Sequence, residues 1–332
     1  MPIEQTKMTY AGAANAALRR ALAERPETIL FGEDVALPGG VFGVTKGLHA
    51  EFGDRVFDTP ISETAMLGTA IGAAMTGRRP IVEIMWMDFS LVAFDQLVNQ
   101  AANVRYVSRG QLQAPMTVRT QQGSQPGACA QHSQSLEALL AHIPGLRVCM
   151  PATTQDAYDV LLSAIWCDDP TVVIENRNLY FGAKEEIWLG REVQPIGGSV
   201  TRHAGNDVTL VTWGAMVHPA ISAADSLARD DIGVEVIDAR WINPFDTDAV
   251  LASVARTGRL AIAHEANRTG GFASEVISRV AEAGVVLNAP PVRIATPDAR
   301  IPAAPSLVGA LVPDASTIEA AVRGLARQGS ER

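Results

Sequence analysis

The sequence predicts an α/β protein built as two parallel-sheet α/β domains. Three observations carry this reading. The chain has 332 residues, more than the roughly 100–200 that one domain usually takes. Short Val- and Ile-rich runs alternate with helical patterns at βα spacing, and several are apolar on both faces, as buried parallel strands are. The rhythm stops over 182–205, in GAKEEIWLGREVQPIGGSVTRHAG, and then resumes. The expected division is a first domain over 1–185, a linker over 186–204 and a second domain over 205–332.

The elements follow in order. Tyr10–Arg25 reads as a helix because Ala14, Leu18, Ala21 and Leu22 fall on one stripe. Thr28–Phe31 is a short apolar strand that runs into Gly-Glu-Asp. Thr64–Thr76 is helical and rich in small residues, with Gly68 and Gly72 forming a face open to close approach. Pro80–Trp86 is a strand and Phe89–Val107 a long helix. Strands follow at Met116–Arg119, Arg147–Met150 and Val172–Ile174, with helices near Gln134–Ala141 and over Thr154–Trp166. In the second half, strands are expected at Val208–Trp213, Val234–Asp238, Leu260–Ala263 and Val292–Ile294. Helices are expected at His218–Ala228, Thr247–Ala255 and Phe272–Glu282.

Composition excludes several classes. Hydrophobic residues make up 47% and charged residues 19%, enough apolar surface to pack a core rather than stay disordered. The net charge of −9 repels phosphate backbones and anionic lipid, which speaks against nucleic acid and membrane surfaces as partners. Cys129, Cys149 and Cys167 form no CxxC pair, so neither a disulfide framework nor a zinc ribbon is expected. The start, MPIEQTKMTY, has no apolar stretch of a secretory signal, and no run reaches 18 apolar residues. The expected setting is the cytoplasm.

The usual motifs are absent: there is no GxG dinucleotide fingerprint, no GK[ST] phosphate loop, no GxSxG elbow and no zincin spacing after His264-Glu265. What remains is a set of polar residues in apolar surroundings, each open to two readings. Glu63 follows Thr59-Pro60-Ile61-Ser62, with Ser62 at an N-cap position. It is either a first-turn carboxylate that complements the helix dipole or a buried acid suited to giving a ligand a proton. Glu33 follows a strand, where ligand sites gather, and also reads as a solvated turn residue. His132 follows the loop QQGSQPGACA and is either a proton shuttle or a structural histidine. Trp86 and Phe89 at a strand end read as core, and His264-Glu265 is equally open.

Taken together these segments resemble a known family. FGEDV (31–35), DTPISE (58–63), GAAMTGRRPIVE (72–83), FDQLVNQAANVRY (94–106), AQHSQSLEALLAHIPGLRV (130–148) and the DP of WCDDPTVVIEN (166–176) match in order. So do VTWG (211–214), DARWINPFD (238–246), HEANRTGGFASEV (264–276) and TPDARIPAAPSL (296–307). The chain resembles the beta subunits of the thiamine-diphosphate-dependent, decarboxylating component of 2-oxo acid dehydrogenase complexes over nearly its whole length. GVFGVTKGL, MDFS, PMTVRT and QHSQSLEALLAHIPGL are most similar to acetoin dehydrogenase beta subunits; pyruvate and branched-chain oxo acids stay open as substrates.

The resemblance implies a pyrimidine-type thiamine-diphosphate domain followed by a transketolase C-terminal-like domain. It implies an alpha subunit, in an alpha2-beta2 heterotetramer, that holds the diphosphate and Mg²⁺ through a GDG motif absent here. It also implies a lipoyl acyltransferase core as partner and a small 2-oxo acid or acetoin as substrate. Glu63 matches the carboxylate that hydrogen-bonds N1′ of the aminopyrimidine. Phe89 matches an aromatic packed on that ring, Glu33 an acid lining the same site, and His132 a loop histidine that handles the intermediate and meets the lipoyl arm. A structural K⁺ is implied on the backbone carbonyls of Met116, Ala164, Ile165, Cys167 and Asp169. The chain departs from the family pattern at Asn103, where Lys is frequent, at Arg109, where Gly is common, and at Cys167, where many relatives carry an acid. Two other readings compete: half of a split transketolase acting on sugar phosphates, and a scaffold half whose partner does all the chemistry.

Overall fold

Parallel strands buried on both faces organise the computed structural model, which describes residues 2–328. The chain folds as two units. The first runs to Gln122 and takes in Leu139–Ile196 and Ile242–Pro244; the second holds Gly123–Ala138, Gly197–Trp241 and the chain from Phe245.

In the first unit the strands are β1 (Glu4–Met8), β2 (Thr28–Gly32), β3 (Val56–Asp58), β4 (Arg79–Ile84), β5 (Thr117–Gln122), β6 (Arg147–Cys149), β7 (Thr171–Asn176) and β8 (Glu185–Leu189). β1 and β8 form a separate antiparallel ribbon. The others lie in the order β6-β7-β5-β4-β2-β3, all parallel, with a short later strand, Trp241–Asn243, at the β6 edge. Every residue of β4, β5 and β7 is buried; β4 and β7 carry short apolar runs at Ile81-Val82 and Val172–Ile174, as strands covered on both faces do, whereas β5, TVRTQQ, buries polar side chains. Helix Tyr10–Glu24 starts at Thr9, whose hydroxyl accepts from the Gly12 N–H. Helix Thr154–Trp166 starts with a reciprocal Thr153–Asp156 capping box.

The second unit holds β9 (Val200–His203), β10 (Val208–Thr212), β11 (Val234–Asp238), β13 (Leu260–Asn267) and β14 (Val292–Thr296), where β12 is the Trp241–Asn243 strand of the other sheet. The order is β14-β13-β10-β11-β9, parallel except for β9, which adds antiparallel at the edge. Val208, Leu210, Val236 and Ala263 of the sheet pack with Ala220, Ala224 and Leu227 and with Ile318, Val322 and Leu325 of two helices.

Several expectations change. Phe89–Val107 is not one helix but a chain of short turns: a 3₁₀ segment Met87–Ala93, a π segment Gln96–Gln100, a second 3₁₀ turn Ala101–Asn103 and one α turn Val104–Val107. The Asn103 amide donates to the carbonyls of Val98 and Asn99, oxygens that a regular helix gives to backbone N–H groups. The helix near Gln134–Ala141 spans only Glu137–Ala141. The 186–204 stretch carries most of β8 and all of β9. The helices Pro305–Leu311 and Ala315–Arg327 lie beyond any element expected from sequence. Among the described residues no helix is long and apolar enough to cross a membrane.

One buried charge cluster ties the first sheet together. Arg119 on β5, fully buried, donates to Glu83 on β4 at 2.5 Å and bidentately to Glu175 on β7. The Tyr180 hydroxyl donates to Glu175 as well. Burial raises the Glu83 pKa above the ordinary carboxylate value, opposed by the adjacent guanidinium. Replacing Arg119 by Met strands two carboxylates in the core and should cost roughly 3–5 kcal/mol. Adding Glu83→Gln and Glu175→Gln should restore a large part of it. Urea unfolding midpoints of the single and triple variants measure both; equal midpoints for wild type and Arg119→Met would show that the cluster carries no such weight.

Candidate active site

The acidic residues expected at the cofactor come together at the C-terminal ends of β2 and β3. β2 ends at Gly32, and Glu33 follows directly. Gly32 is required here: a Cβ would lie 2.6 Å from the Glu83 carbonyl oxygen on the neighbouring β4. The turn after it is fixed by Asp58, whose carboxylate accepts from the Ala36 N–H at 2.8 Å, and by the Thr45 hydroxyl, which donates to the Val35 carbonyl. From β3 the chain passes through Thr59, whose N–H donates to Gly32, and enters helix Glu63–Met75 at Ser62. The Ser62 hydroxyl makes no capping bond, although it holds the N-cap position.

Glu33 and Glu63 are both 8% exposed. Burial raises the Glu33 pKa, and the negative charges of Glu63 and then Asp34 raise it further. Among the described residues neither side chain has a hydrogen bond or an ion pair. The Thr59 hydroxyl oxygen beside them is also buried without a partner. Two neighbouring carboxylates and a hydroxyl without a donor suit a ligand that brings its own N–H groups or positive charge. Phe89 lies in the 3₁₀ segment Met87–Ala93 of the same unit and is half-buried. The small-residue face of helix Glu63–Met75 is open only in part: a Cβ at Gly72 would meet nothing within 4 Å, but one at Gly68 would lie 3.5 Å from the Gln96 side chain.

His132 belongs to the second unit. It is half-buried in the segment Gly123–Ala138, which packs with that unit although it follows β5 in sequence.

The five carbonyls expected to hold K⁺ all belong to the first unit and already accept hydrogen bonds. Arg79 donates to Ile165 at 2.8 Å and to Cys167 at 2.7 Å, while its other terminal nitrogen holds Asp168. Ala164 accepts from the Thr117 hydroxyl, Asp169 from the Thr171 hydroxyl and Met116 from the Thr171 N–H. A K⁺ at this position would share the Ile165 and Cys167 oxygens with a guanidinium. Nearby, a cavity of about 960 Å³ is lined by Arg105, Tyr106, Arg109, Arg147 and Asp169 among others. Arg105 and Arg147 both pair with the Asp169 carboxylate. Among the described residues no cluster of three His, Cys, Asp or Glu side chains is set to hold a metal.

The comparisons with known proteins agree with the fold. Residues 6–182 match the model described as "Transketolase, pyrimidine binding domain", and residues 197–318 match "Transketolase, C-terminal domain". The beta subunit of acetoin:2,6-dichlorophenolindophenol oxidoreductase from Cupriavidus necator is 40% identical over 96% of this chain and 97% of its own. The beta subunits of the pyruvate dehydrogenase E1 component from Staphylococcus epidermidis and Bacillus subtilis are 41% and 39% identical, each over 89% of this chain and 92% of theirs. The chain belongs to this family of dehydrogenase beta subunits. A solved structure titled "Split gene transketolase, inactive beta4 tetramer" superposes with a TM-score of 0.80 over 98% of this chain and all of that one, at 22% identity, and so shares the fold. Within the family's segments, HEANRTGGF gains a structural reason. His264 is fully buried and stacks on Trp213, centroids 5.4 Å apart and planes 7° apart. A Cβ on Gly271 would lie 2.6 Å from the His264 ring.

Sequence reasoning passed over Arg79 and Arg119 as individual residues and left His264-Glu265 open. A cation inside an apolar strand run was the available signal for Arg119. Burial holds the His264 pKa down to about 4, against about 6.5 in an unfolded chain. The folded state therefore resists a proton that the unfolded state takes. The stability this neutral ring contributes is full above pH 6.5 and is lost as pH falls toward 4, by about 3 kcal/mol in all. His264→Gln should flatten that part of the acid limb, read from unfolding midpoints between pH 7 and 4. An unchanged slope would mean that His264 is not the buried base responsible.

Proposed function

We infer that this chain is the beta half of a heteromeric thiamine-diphosphate enzyme. That enzyme cleaves the carbon–carbon bond beside the carbonyl of acetoin or a small 2-oxo acid. It then passes the acyl unit to a lipoyl group on an acyltransferase core. The observation that carries this reading is the unpartnered Glu33–Glu63 pair, in a chain about 40% identical to such beta subunits over most of its length. The alpha chain would hold the diphosphate and Mg²⁺, for which this sequence has no motif, and an alpha2-beta2 assembly in the cytoplasm completes the picture. We leave structural K⁺ out, because Arg79 already sets a positive charge against two of its expected oxygens.

Thiamine diphosphate, when bound, supplies the nucleophilic carbon that opens the substrate. This chain's residues do the rest of their half. Glu63 accepts a hydrogen bond from protonated N1′ of the aminopyrimidine, an interaction strengthened by low dielectric. Glu33, sharing that pocket, adds negative charge on the same side. Phe89 packs against the ring face. His132 gives a proton to the sulfur released when the lipoyl dithiolane opens, a general-acid role that a loop imidazole can fill.

Acetoin is the substrate that the segments GVFGVTKGL, MDFS and PMTVRT favour. Identities of 40% and 41% to the acetoin and pyruvate relatives do not separate the two. A panel of acetoin, pyruvate and branched-chain oxo acids on the reconstituted alpha–beta pair does.

Glu63→Gln should fold and assemble yet lose most turnover, because an amide cannot sustain a proton on N1′. Near wild-type turnover in the alpha–beta complex would remove Glu63 from this role. His132→Ala should spare carbon–carbon cleavage measured with an artificial electron acceptor and depress lipoyl-dependent activity. An equal fall in both assays would instead put His132 in substrate binding.

A further inference from the structure

Residues 123–136 form a 14-residue stretch without helix or strand, long for a loop inside a compact domain. Its backbone is held in conformations that need support. Gly123 and Gly127 have φ of 123° and 83°, and Cys129 sits at φ 48°, where a side chain is strained. With no ladder to order it, the loop takes anchors from elsewhere in its unit.

At its start, Glu265 on β13 accepts twice on one oxygen, Oε1: from the Ser124 N–H at 2.5 Å and from the Ser124 hydroxyl at 2.6 Å. In the middle, the Gly127 N–H donates to the Ala303 carbonyl. At its end, Arg300 donates to the Gln134 amide oxygen, and the Trp213 indole donates to buried Glu137. A small cavity of about 60 Å³ lies between 130–136 and Asn267, Arg300 and Ile301. His132 therefore stands between anchors at 127 and 134, on a loop whose entry is fixed by one carboxylate.

We propose that Glu265 is the positioning residue of the His132 loop: by holding both Ser124 donors, it fixes where the loop leaves β5 and so where His132 is presented for acyl transfer. This rests on the role given to His132 above. It also gives HEANRTGGF two separate duties on adjacent residues, His264 inside the core and Glu265 on the loop. Without Glu265 the Ser124 N–H and hydroxyl lose this acceptor, and the loop would open from that end. A shift of about 1 Å in a reacting group can cost on the order of a hundredfold in rate.

The test uses the assembled alpha–beta enzyme with three substitutions: Glu265→Ala, Glu265→Gln and His132→Ala. Amide hydrogen exchange over 123–136 reads the anchor directly. Turnover with lipoamide and turnover with an artificial electron acceptor are measured in parallel. Glu265→Ala should speed exchange in the loop and lower lipoamide turnover about 10- to 100-fold, with acceptor-dependent turnover retained. Glu265→Gln, whose amide oxygen still accepts both Ser124 donors, should restore both. Unchanged loop exchange in Glu265→Ala overturns the proposal. So does a Gln variant as impaired as the Ala variant, which would make the charge rather than the acceptor the active feature. Faster exchange together with intact lipoamide turnover, in a background where His132→Ala is impaired, overturns it too. If His132→Ala is inert in both assays while Glu265→Ala speeds exchange, the anchor stands and the histidine's transfer role falls.

Discussion

The first unit depends on one guanidinium. Arg119 lies on the middle of three strands that are buried along their whole length, and it reaches a carboxylate on each neighbour. A triad of this kind adds little net stability compared with an apolar replacement, because desolvation consumes the Coulomb gain. Its effect is on register. The Glu83↔Arg119 pairing sets β4 against β5, and a one-residue slip would move every side chain to the opposite face. Glu83 also carries the carbonyl against which Gly32 packs with no room for a Cβ. The position of Glu33, one residue beyond Gly32, is thus tied through Glu83 to the buried charge.

The candidate functional residues divide between the two units by what holds them. Glu33, Glu63 and Phe89 follow strands and turns of the first sheet, so their placement comes from backbone ladders. His132 is held by side chains of the second unit, at the ends of β13 and in the segment after β14. The first kind of placement is rigid and suits a group that must meet one ring nitrogen. The second, built from a few side-chain hydrogen bonds, opens at lower free-energy cost and suits a group that must receive a bulky arm and release it. Assigning ring chemistry to one set and arm chemistry to the other follows the mechanics of each.

Much of this was legible in the sequence. The βα rhythm placed the central strands because Val, Ile and Leu runs are buried on both faces, and Ala14, Leu18 and Leu22 do face the core. The collinear segments pointed to the family, and the curated relatives bear that out. The turns between Met87 and Val107 were not legible. Asp95, Asn99 and Asn103 at helical spacing look like one polar helix face, but the Asn103 amide takes carbonyls that a helix would use. Nor was the allegiance of 123–138, since which unit a loop packs with is a matter of tertiary partners such as Glu265 and Ala303, remote in sequence. The carbonyls assigned to K⁺ had no side-chain signature at all, and the guanidinium of Arg79 that meets two of them is separated from them by more than 80 residues.

The acidic pair also bears on why such a chain belongs in an assembly. Two neighbouring buried carboxylates, one with its pKa raised partly by the other's charge, are an unfavourable arrangement for an isolated protein. Arg119, in register with Glu83 and through it with Gly32, does not relieve it, being committed to Glu83 and Glu175. The chain carries 36 acidic against 27 basic side chains, so long-range charge does not relieve it either. Relief has to come from a group with donors or positive charge that enters the pocket, and a protonated aminopyrimidine is such a group. On the function proposed above, binding would repay the cost of bringing Glu33 and Glu63 together, and the pair would select the protonated ring. On the same reading the diphosphate would be held by a second polypeptide, and the site would be complete only in the assembly.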